Sequence, residues 1–457
     1  MLTSYPQPNS SSLQVEEPQS LRPLVPLLQL PAPVTKLSPR LDVFPPSKPA
    51  ALPGYLRTSH VVPAAFPRTL PQGSNLRDTT TNGEKGQAKA LSKAFVEVKL
   101  EFESPETQQA TRGKSHTVMW NCIDRYVRIS PEASLGTGIT LFLTHANGFS
   151  RQIWEPTLAR LISLMESNPS SGVLVDEIWS FEAVQHGDSG LLNVGNHHDI
   201  FDWQDHVRDI LNFLINYLPE EVSSSILPTI LSRILRRKLS RRVVGVGHSF
   251  GGTTLCLAAI TQPELFQSLI LVEPLIVPTS YKRGPRLDGL IQATIRKPSQ
   301  FPSREIAKGI FKKYPPMNTW DPAVIDVIME HGLVAANSEG PTSSSLMGKD
   351  SSPVRLKMHP LDEAVVYCEW LAPYEAWTGL ENLDPRVSLH WIMSGDTNKL
   401  TGGFATTQMT VWRRAVNTTN VRLPGVGHLI VQESPENLGA ELFRYLKHSM
   451  QKYVSKL

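Results

Sequence analysis

The chain has 457 residues, 40% of them hydrophobic and 19% charged, with a formal net charge of +3. That is the composition of a folded globular protein, of about two to three domains by length. The near balance of 45 basic and 42 acidic residues argues against a nucleic-acid binder, whose basic footprint would dominate.

In chain order, fifteen of the 37 prolines fall in the first 71 residues, mixed with serines. Such a segment resists ladders and long helices, so residues 1–89 are expected to form a disordered extension. From Phe95 to Phe102 apolar and polar residues alternate with period two, which predicts a half-buried strand. Another strand is expected within Thr117 to Ile129. The apolar run Ile139 to Thr144 reads as a strand covered on both faces. A helix over Trp154 to Met165, a strand over Val173 to Trp179 and an amphipathic helix over Asp205 to Tyr217 follow. The basic cluster Arg233 to Lys238, with Arg241 and Arg242, reads as a solvated face, with a phosphate or membrane surface as the alternative.

Next come a strand over Val243 to Val246, a helix over Phe250 to Thr261 and a strand over Leu269 to Val272. Strands alternating with helices predict a mostly parallel central sheet flanked by helices, hence an α/β fold. The alternation stops over residues 277–382, read as an inserted helical cap. Its expected helices are Lys282 to Ile295, Ile306 to Phe311 and Ala323 to Gly332, and Ser343 to Val354 is expected to be a polar loop. Residues 90–276 and 383–457 then form the two parts of the core. The second part holds a strand over Ser388 to Met393 and a helix over Glu436 to Lys452.

Chemistry enters at Gly247-His248-Ser249-Phe250-Gly251, which matches G-x-S-x-G. A serine between a strand and a helix sits on a sharp turn. Glycines on either side let backbone approach closely, and the helix N-terminus favours a developing anion. Ser249 is therefore the expected nucleophile. The loop His145-Ala146-Asn147-Gly148-Phe149 follows an earlier strand, so the N–H groups of Asn147 and Phe250 are the expected oxyanion donors. His145 is expected to pin this loop and to take no part in proton transfer. His428, after the last strand, is the expected base. The expected acid is Glu273, with Asp396 as the alternative. Glu273 stands at the end of the strand after the nucleophile helix. Asp396 lies two residues short of the usual place, which Asn398 occupies with an uncharged amide.

The cysteines Cys122, Cys256 and Cys368 show no metal or redox spacing, and three is an odd number for a disulfide framework, so a reducing compartment is expected. No metal or cofactor is expected either. No apolar run is long enough to predict a transmembrane helix, and no secretory leader is expected. The ending Ser455-Lys456-Leu457 reads as a peroxisomal address, with the import receptor as its partner.

These residues resemble the α/β-hydrolase superfamily over roughly residues 95 to 452. They resemble in particular the fungal peroxisomal hydrolases of secondary metabolism, a group with host-selective toxin hydrolases and a mycophenolic-acid-type acyl-CoA thioesterase. The matching stretches are THANGF, WEP, WQDHVRD, VGVGHSFGG, LVEPLI, TWDPAVIDVIMEHGL and PGVGHLIVQESPE. In the thioesterase the acid follows the same strand as Glu273, so the resemblance implies Glu273. It also implies a hydrolase of ester or thioester bonds acting on a small-molecule acyl substrate, in toxin or secondary-metabolite formation. A lipase or carboxylesterase stays open, as does an inactive scaffold that binds a ligand or partner. An epoxide hydrolase is disfavoured, because its nucleophile is normally an aspartate. The cap is expected to form an apolar acyl pocket, with Trp320 and Trp370 as possible lining aromatics. Lys282, Arg283 and Arg286 are possible phosphate contacts should the acyl carrier be coenzyme A.

Overall fold

The computed structural model describes residues 2–8, 21–30, 52–69, 76, 85–130, 135–234, 241–281, 286–336, 352–396 and 400–454. Among these the strands are β1 (Tyr55–Pro63), β2 (Trp120–Arg128), β3 (Ile139–Thr144), β4 (Val175–Phe181), β5 (Val243–His248), β6 (Ser268–Val272), β7 (Gln300–Phe301), β8 (Leu333–Ala335), β9 (Val354–Leu356), β10 (Ser388–Ser394) and β11 (Thr418–Leu423). Eight of them form one sheet in the order β1-β2-β4-β3-β5-β6-β10-β11. β2 runs antiparallel to both β1 and β4, and every pairing from β4 to β11 is parallel.

The central strands lie there because their sequences suit burial on two faces. Every residue of β3, β5 and β6 is buried. Alternate side chains feed two separate cores: Phe142 joins one, Leu141 and Leu143 the other. Burying a side chain such as Phe142 contributes about 1.5–3 kcal/mol. The helices Glu155–Ser167 and Pro435–Val454 cover one face. Trp203–Asn216, Phe250–Thr261 and Leu371–Leu380 cover the other. No helix among the described residues is long and apolar enough to cross a membrane.

Several expectations are corrected. Phe95 to Phe102 is not a strand but the last turns of the helix Lys85–Phe102. The buried positions are Ala88, Leu91, Ser92, Phe95, Lys99 and Phe102, a stripe repeating at three and four residues that a window of eight residues cannot reveal. Lys99 is buried among them because its ammonium pairs with Glu369 at 2.8 Å and Glu103 at 3.3 Å.

The expectation of disorder over residues 1–89 is also overturned in part. β1 pairs with β2 along its full length. The run Leu56 to Val62 holds no proline, and averaging over the segment hides it. Thr3 bridges Arg422 on the far edge of the sheet. Arg22 reaches Glu375 at 2.6 Å and Asp202 at 3.3 Å.

The cap is not wholly helical. β7, β9 and β8 form a three-stranded antiparallel sheet beside its helices. The helix Leu371–Leu380, assigned to the cap from sequence, packs on Phe250–Thr261 and belongs to the layer over the main sheet. Most of the polar loop Ser343 to Val354 and the terminal Ser455-Lys456-Leu457 lie outside the described residues. So do Lys282, Arg283 and Asn398. Of the basic cluster, Arg241 pairs with buried Glu177, and Arg242 donates to the Gly138 carbonyl at 2.9 Å.

Candidate active site

β5, β6, β10 and β11 run parallel, so their C-terminal ends share one rim. Ser249 stands there, between β5 and the helix Phe250–Thr261, with φ at 54° and ψ at −122°. For a serine this backbone costs on the order of 1–3 kcal/mol and must be imposed by its surroundings. Its N–H donates to the Val272 carbonyl at 3.0 Å, and its carbonyl accepts from the Thr253 N–H at 3.0 Å. Glycine is required beside it. A Cβ on Gly251 would lie 2.4 Å from the His145 carbonyl oxygen, and one on Gly247 would lie 2.7 Å from the Gly252 Cα. The turn is thus pressed against the loop that follows β3.

His428 arrives on the loop after β11. The Gly427 N–H donates to Glu433 at 2.7 Å, and His248 Nε2 donates to the His428 carbonyl at 3.0 Å. His428 Nε2 then lies 2.9 Å from Ser249 Oγ, and its Nδ1 lies 3.0 Å from Glu273 Oε2. Glu273 follows β6, is 1% exposed and has φ at 44°. Its second oxygen, Oε1, accepts the Ser394 N–H at 2.6 Å. With this carboxylate accepting from Nδ1–H, Nε2 is left as the acceptor of the hydrogen bond from the serine hydroxyl.

The structure therefore brings Ser249, His428 and Glu273 together. It does not bring the alternative acid, Asp396, to the ring. Asp396 is exposed, and its backbone N–H bonds Ser394 Oγ at 3.1 Å.

Asn147 and Phe250 belong to the two segments that meet where Gly251 packs on the Thr144 and His145 backbone. Among the described residues neither backbone N–H has a protein acceptor. The Asn147 side chain is held at both ends, by the Glu363 carbonyl at 2.9 Å and His186 Nε2 at 3.0 Å. His145 Nε2 accepts from the Ala183 N–H at 3.1 Å, so its Nδ1 donates to the Ala146 carbonyl at 2.8 Å. The ring pins the loop. Burial pushes His145 down to about 4 and His248 down to about 3, and it holds His186 and His206 well below the ordinary range. Groups so depressed are neutral near pH 7.

Residues that the sequence reasoning did not single out complete the site. His206 stacks on the Phe250 ring at 4.9 Å and Trp203 meets it edge-on at 5.1 Å, so the proposed donor residue is clamped on both sides. Both belong to WQDHVRD, a stretch noted for its resemblance and not for its chemistry. Arg151 is fully buried and joins Asp124, Glu182 and Asp188 within 3.0 Å, tying the segment after β3 to β2 and to the segment after β4.

Above the serine lies a cavity of about 1170 Å³, lined by Ser249, His428, Asn147 and mainly apolar cap residues, Trp320 among them. Trp370 lies outside that lining, and the Arg286 side chain lies outside the described residues. The cavity exceeds the ~300–1,000 Å³ usual for small-ligand sites, so a bulky or extended apolar group fits it. Among the described residues no group of His, Cys, Asp and Glu could hold a metal ion.

The model of the alpha/beta hydrolase family matches residues 141–441. A type I acyl-CoA thioesterase (mpaH') of Penicillium brevicompactum is 30% identical over 195 residues, which are 42% of this chain and 39% of that protein. The peroxisomal membrane protein LPX1 of Saccharomyces cerevisiae is 29% identical over 141 residues, 31% of this chain and 32% of that protein. The chain thus spans about two fifths or less of the length of these curated relatives. The solved structure of peroxisomal alpha-beta-hydrolase Lpx1 from the same yeast superposes with a TM-score of 0.59 at 17% identity, covering 87% of this chain and 89% of that one. It shares the fold.

Proposed function

The chain belongs to the alpha/beta hydrolase family, and from that premise we propose that it is a serine hydrolase of ester or thioester bonds. The observation that carries the reading is the relay from Ser249 Oγ through His428 to Glu273, with steps of 2.9 and 3.0 Å.

In this reading Ser249 Oγ attacks the acyl carbon while its proton passes to His428 Nε2. The imidazolium is stabilised by Glu273, and the N–H groups of Asn147 and Phe250 receive the oxyanion. Nε2 then returns the proton to the leaving thiolate or alkoxide, and an acyl-serine remains. Water, losing a proton to Nε2, attacks the acyl carbon. Collapse breaks the bond to Ser249 Oγ, which regains the proton, and the carboxylic acid departs. The apolar cavity favours a bulky acyl group. The Penicillium relative's name favours a thioester of coenzyme A as the substrate class, ahead of a lipase or carboxylesterase substrate. The yeast relative's name supports a peroxisomal setting, the one expected from Ser455-Lys456-Leu457. A role in secondary-metabolite or toxin formation is the context that the sequence resemblance implies.

A fluorophosphonate probe tests the chemistry. Labelling of Ser249, abolished in Ser249→Ala, is expected. A folded protein that resists the probe would instead be the inactive scaffold. Rates on acyl-CoA, p-nitrophenyl and glyceride esters separate a thioesterase from an esterase or lipase.

A further inference from the structure

The cavity wall is apolar through Leu287, Leu290, Ile310, Phe311 and Met317, yet an ion pair is set into it. Lys297, just after the helix Arg286–Ile295, bonds Glu363 on the helix Pro360–Tyr367. Their side chains are 26% and 11% exposed, and both residues line the cavity. A largely buried ion pair adds little stability over well-packed apolar residues.

Its place relative to the serine is informative. The Glu363 carbonyl holds the Asn147 side chain at 2.9 Å. A Cβ on Gly148 would lie 2.9 Å from Glu363 Oε1. That oxygen is therefore one residue away from the N–H proposed to receive the substrate carbonyl. Lys297 bonds the other oxygen, Oε2, and among the described residues Oε1 accepts from no protein donor.

Resting on the serine-hydrolase reading, we propose that Lys297 and Glu363 determine specificity for acyl groups that bear a hydroxyl on the carbons next to the carbonyl. The class is 2- or 3-hydroxyacyl esters or thioesters. A hydroxyl can donate to Oε1 and accept from the ammonium, so both members of the pair are served at once. A carboxylate on the acyl chain would meet Glu363, and an ammonium would meet Lys297, each with repulsion. A plain alkyl chain would cover Oε1 without offering a donor, which costs binding.

The test uses N-acetylcysteamine thioesters of butyrate, 2-hydroxybutyrate and 3-hydroxybutyrate with the full chain. One hydroxyacyl thioester is expected to exceed butyryl in kcat/KM by ~10-fold or more. In Lys297→Met/Glu363→Leu the ratio is expected to fall to one or below. Because the ratio is internal, a general loss of activity cancels. Should the double variant not fold, Lys297→Met alone reads the same ratio. Calorimetry on Ser249→Ala gives the preference as a ratio of Kd values, independent of turnover. Equal kcat/KM for plain and hydroxylated thioesters, or a preference that survives the double variant, overturns the proposal. A protein that hydrolyses none of them yet binds the hydroxyacyl form more tightly upholds the pair and sinks only the serine-hydrolase reading.

Discussion

The ends of β6 and β10 lie side by side, with Ile392 opposite Val272 in parallel register. Each is followed by a carboxylate, Glu273 after one and Asp396 after the other. β10 also neighbours β11, which carries the His428 loop, so proximity alone favours Asp396. The geometry is the reverse. Gly395 donates to the Leu423 carbonyl at 2.6 Å and prolongs the pairing of β10 with β11, which carries Asp396 past the ring and into solvent. Glu273 starts one strand further from β11 than Asp396, and its side chain has one more methylene to cover the distance. It reaches His428 with one oxygen and takes the Ser394 N–H with the other. β10 thus contributes a donor where an acid was the alternative. A triad acid is defined by the path its carboxylate can follow, not by the nearest strand end.

Exchanging the two carboxylates for amides is the most direct way to break this contrast. Glu273→Gln is expected to lower kcat by roughly 10⁴-fold, because the amide can neither fix the tautomer nor stabilise the imidazolium. Asp396→Asn is expected to stay within about twofold of the parent. Steady-state kinetics on one thioester checks both. A dead Asp396→Asn beside an active Glu273→Gln would reverse the assignment.

The rim also differs from ordinary surface in what acid does to it. Burial holds His145 down at about 4, whereas an unfolded chain titrates near 6.5. Between those values the unfolded state binds a proton that the folded state refuses, so stability falls as pH drops from about 6.5 to about 4. One such group costs roughly 3 kcal/mol by the bottom of that window. His186, His206 and His248 act in the same direction. Urea midpoints measured across the window should show, for His145→Gln, a slope shallower than the parent's by about one proton. A slope that His145→Gln does not alter would mean that His145 is protonated in the fold.

How much of this was legible depends on the range of the interaction. The strand, turn and helix around Ser249 are local, and β-branched residues followed by paired glycines announce them. His428 is legible because it follows the last strand in a glycine-bounded loop. The sequence favours Glu273 over Asp396 by its place at a strand end, but what excludes Asp396 is not local. It depends on how β10 continues against β11, a contact between residues 395 and 423. The Phe95 to Phe102 helix was misread because alternation over eight residues fits two periods. Only Ala88 and Leu91, outside that window, reveal the helical face. β1 was missed because proline content was averaged over a segment whose Leu56 to Val62 stretch has none. The ring clamp on Phe250 joins residues more than forty positions apart and has no local signature.

The smallest expected effect sharpens the contrast from the β10 side. Ser394 serves the site twice. Its N–H holds Glu273, and its hydroxyl donates to the Val426 carbonyl at 2.5 Å, two residues before His428. Ser394→Ala keeps the first bond and removes the second. The Val426 carbonyl then loses its donor, and the histidine loop is held by the Gly427–Glu433 bond and by His248. A neutral hydrogen bond of this kind contributes about 0.5–1.5 kcal/mol, so kcat is expected to fall by roughly 3- to 10-fold with KM little changed. The fluorophosphonate labelling rate of Ser249 should fall by the same factor, because both readouts need the imidazole in place. A normal labelling rate beside a reduced kcat would show that the Ser394 hydroxyl acts elsewhere than on the histidine loop.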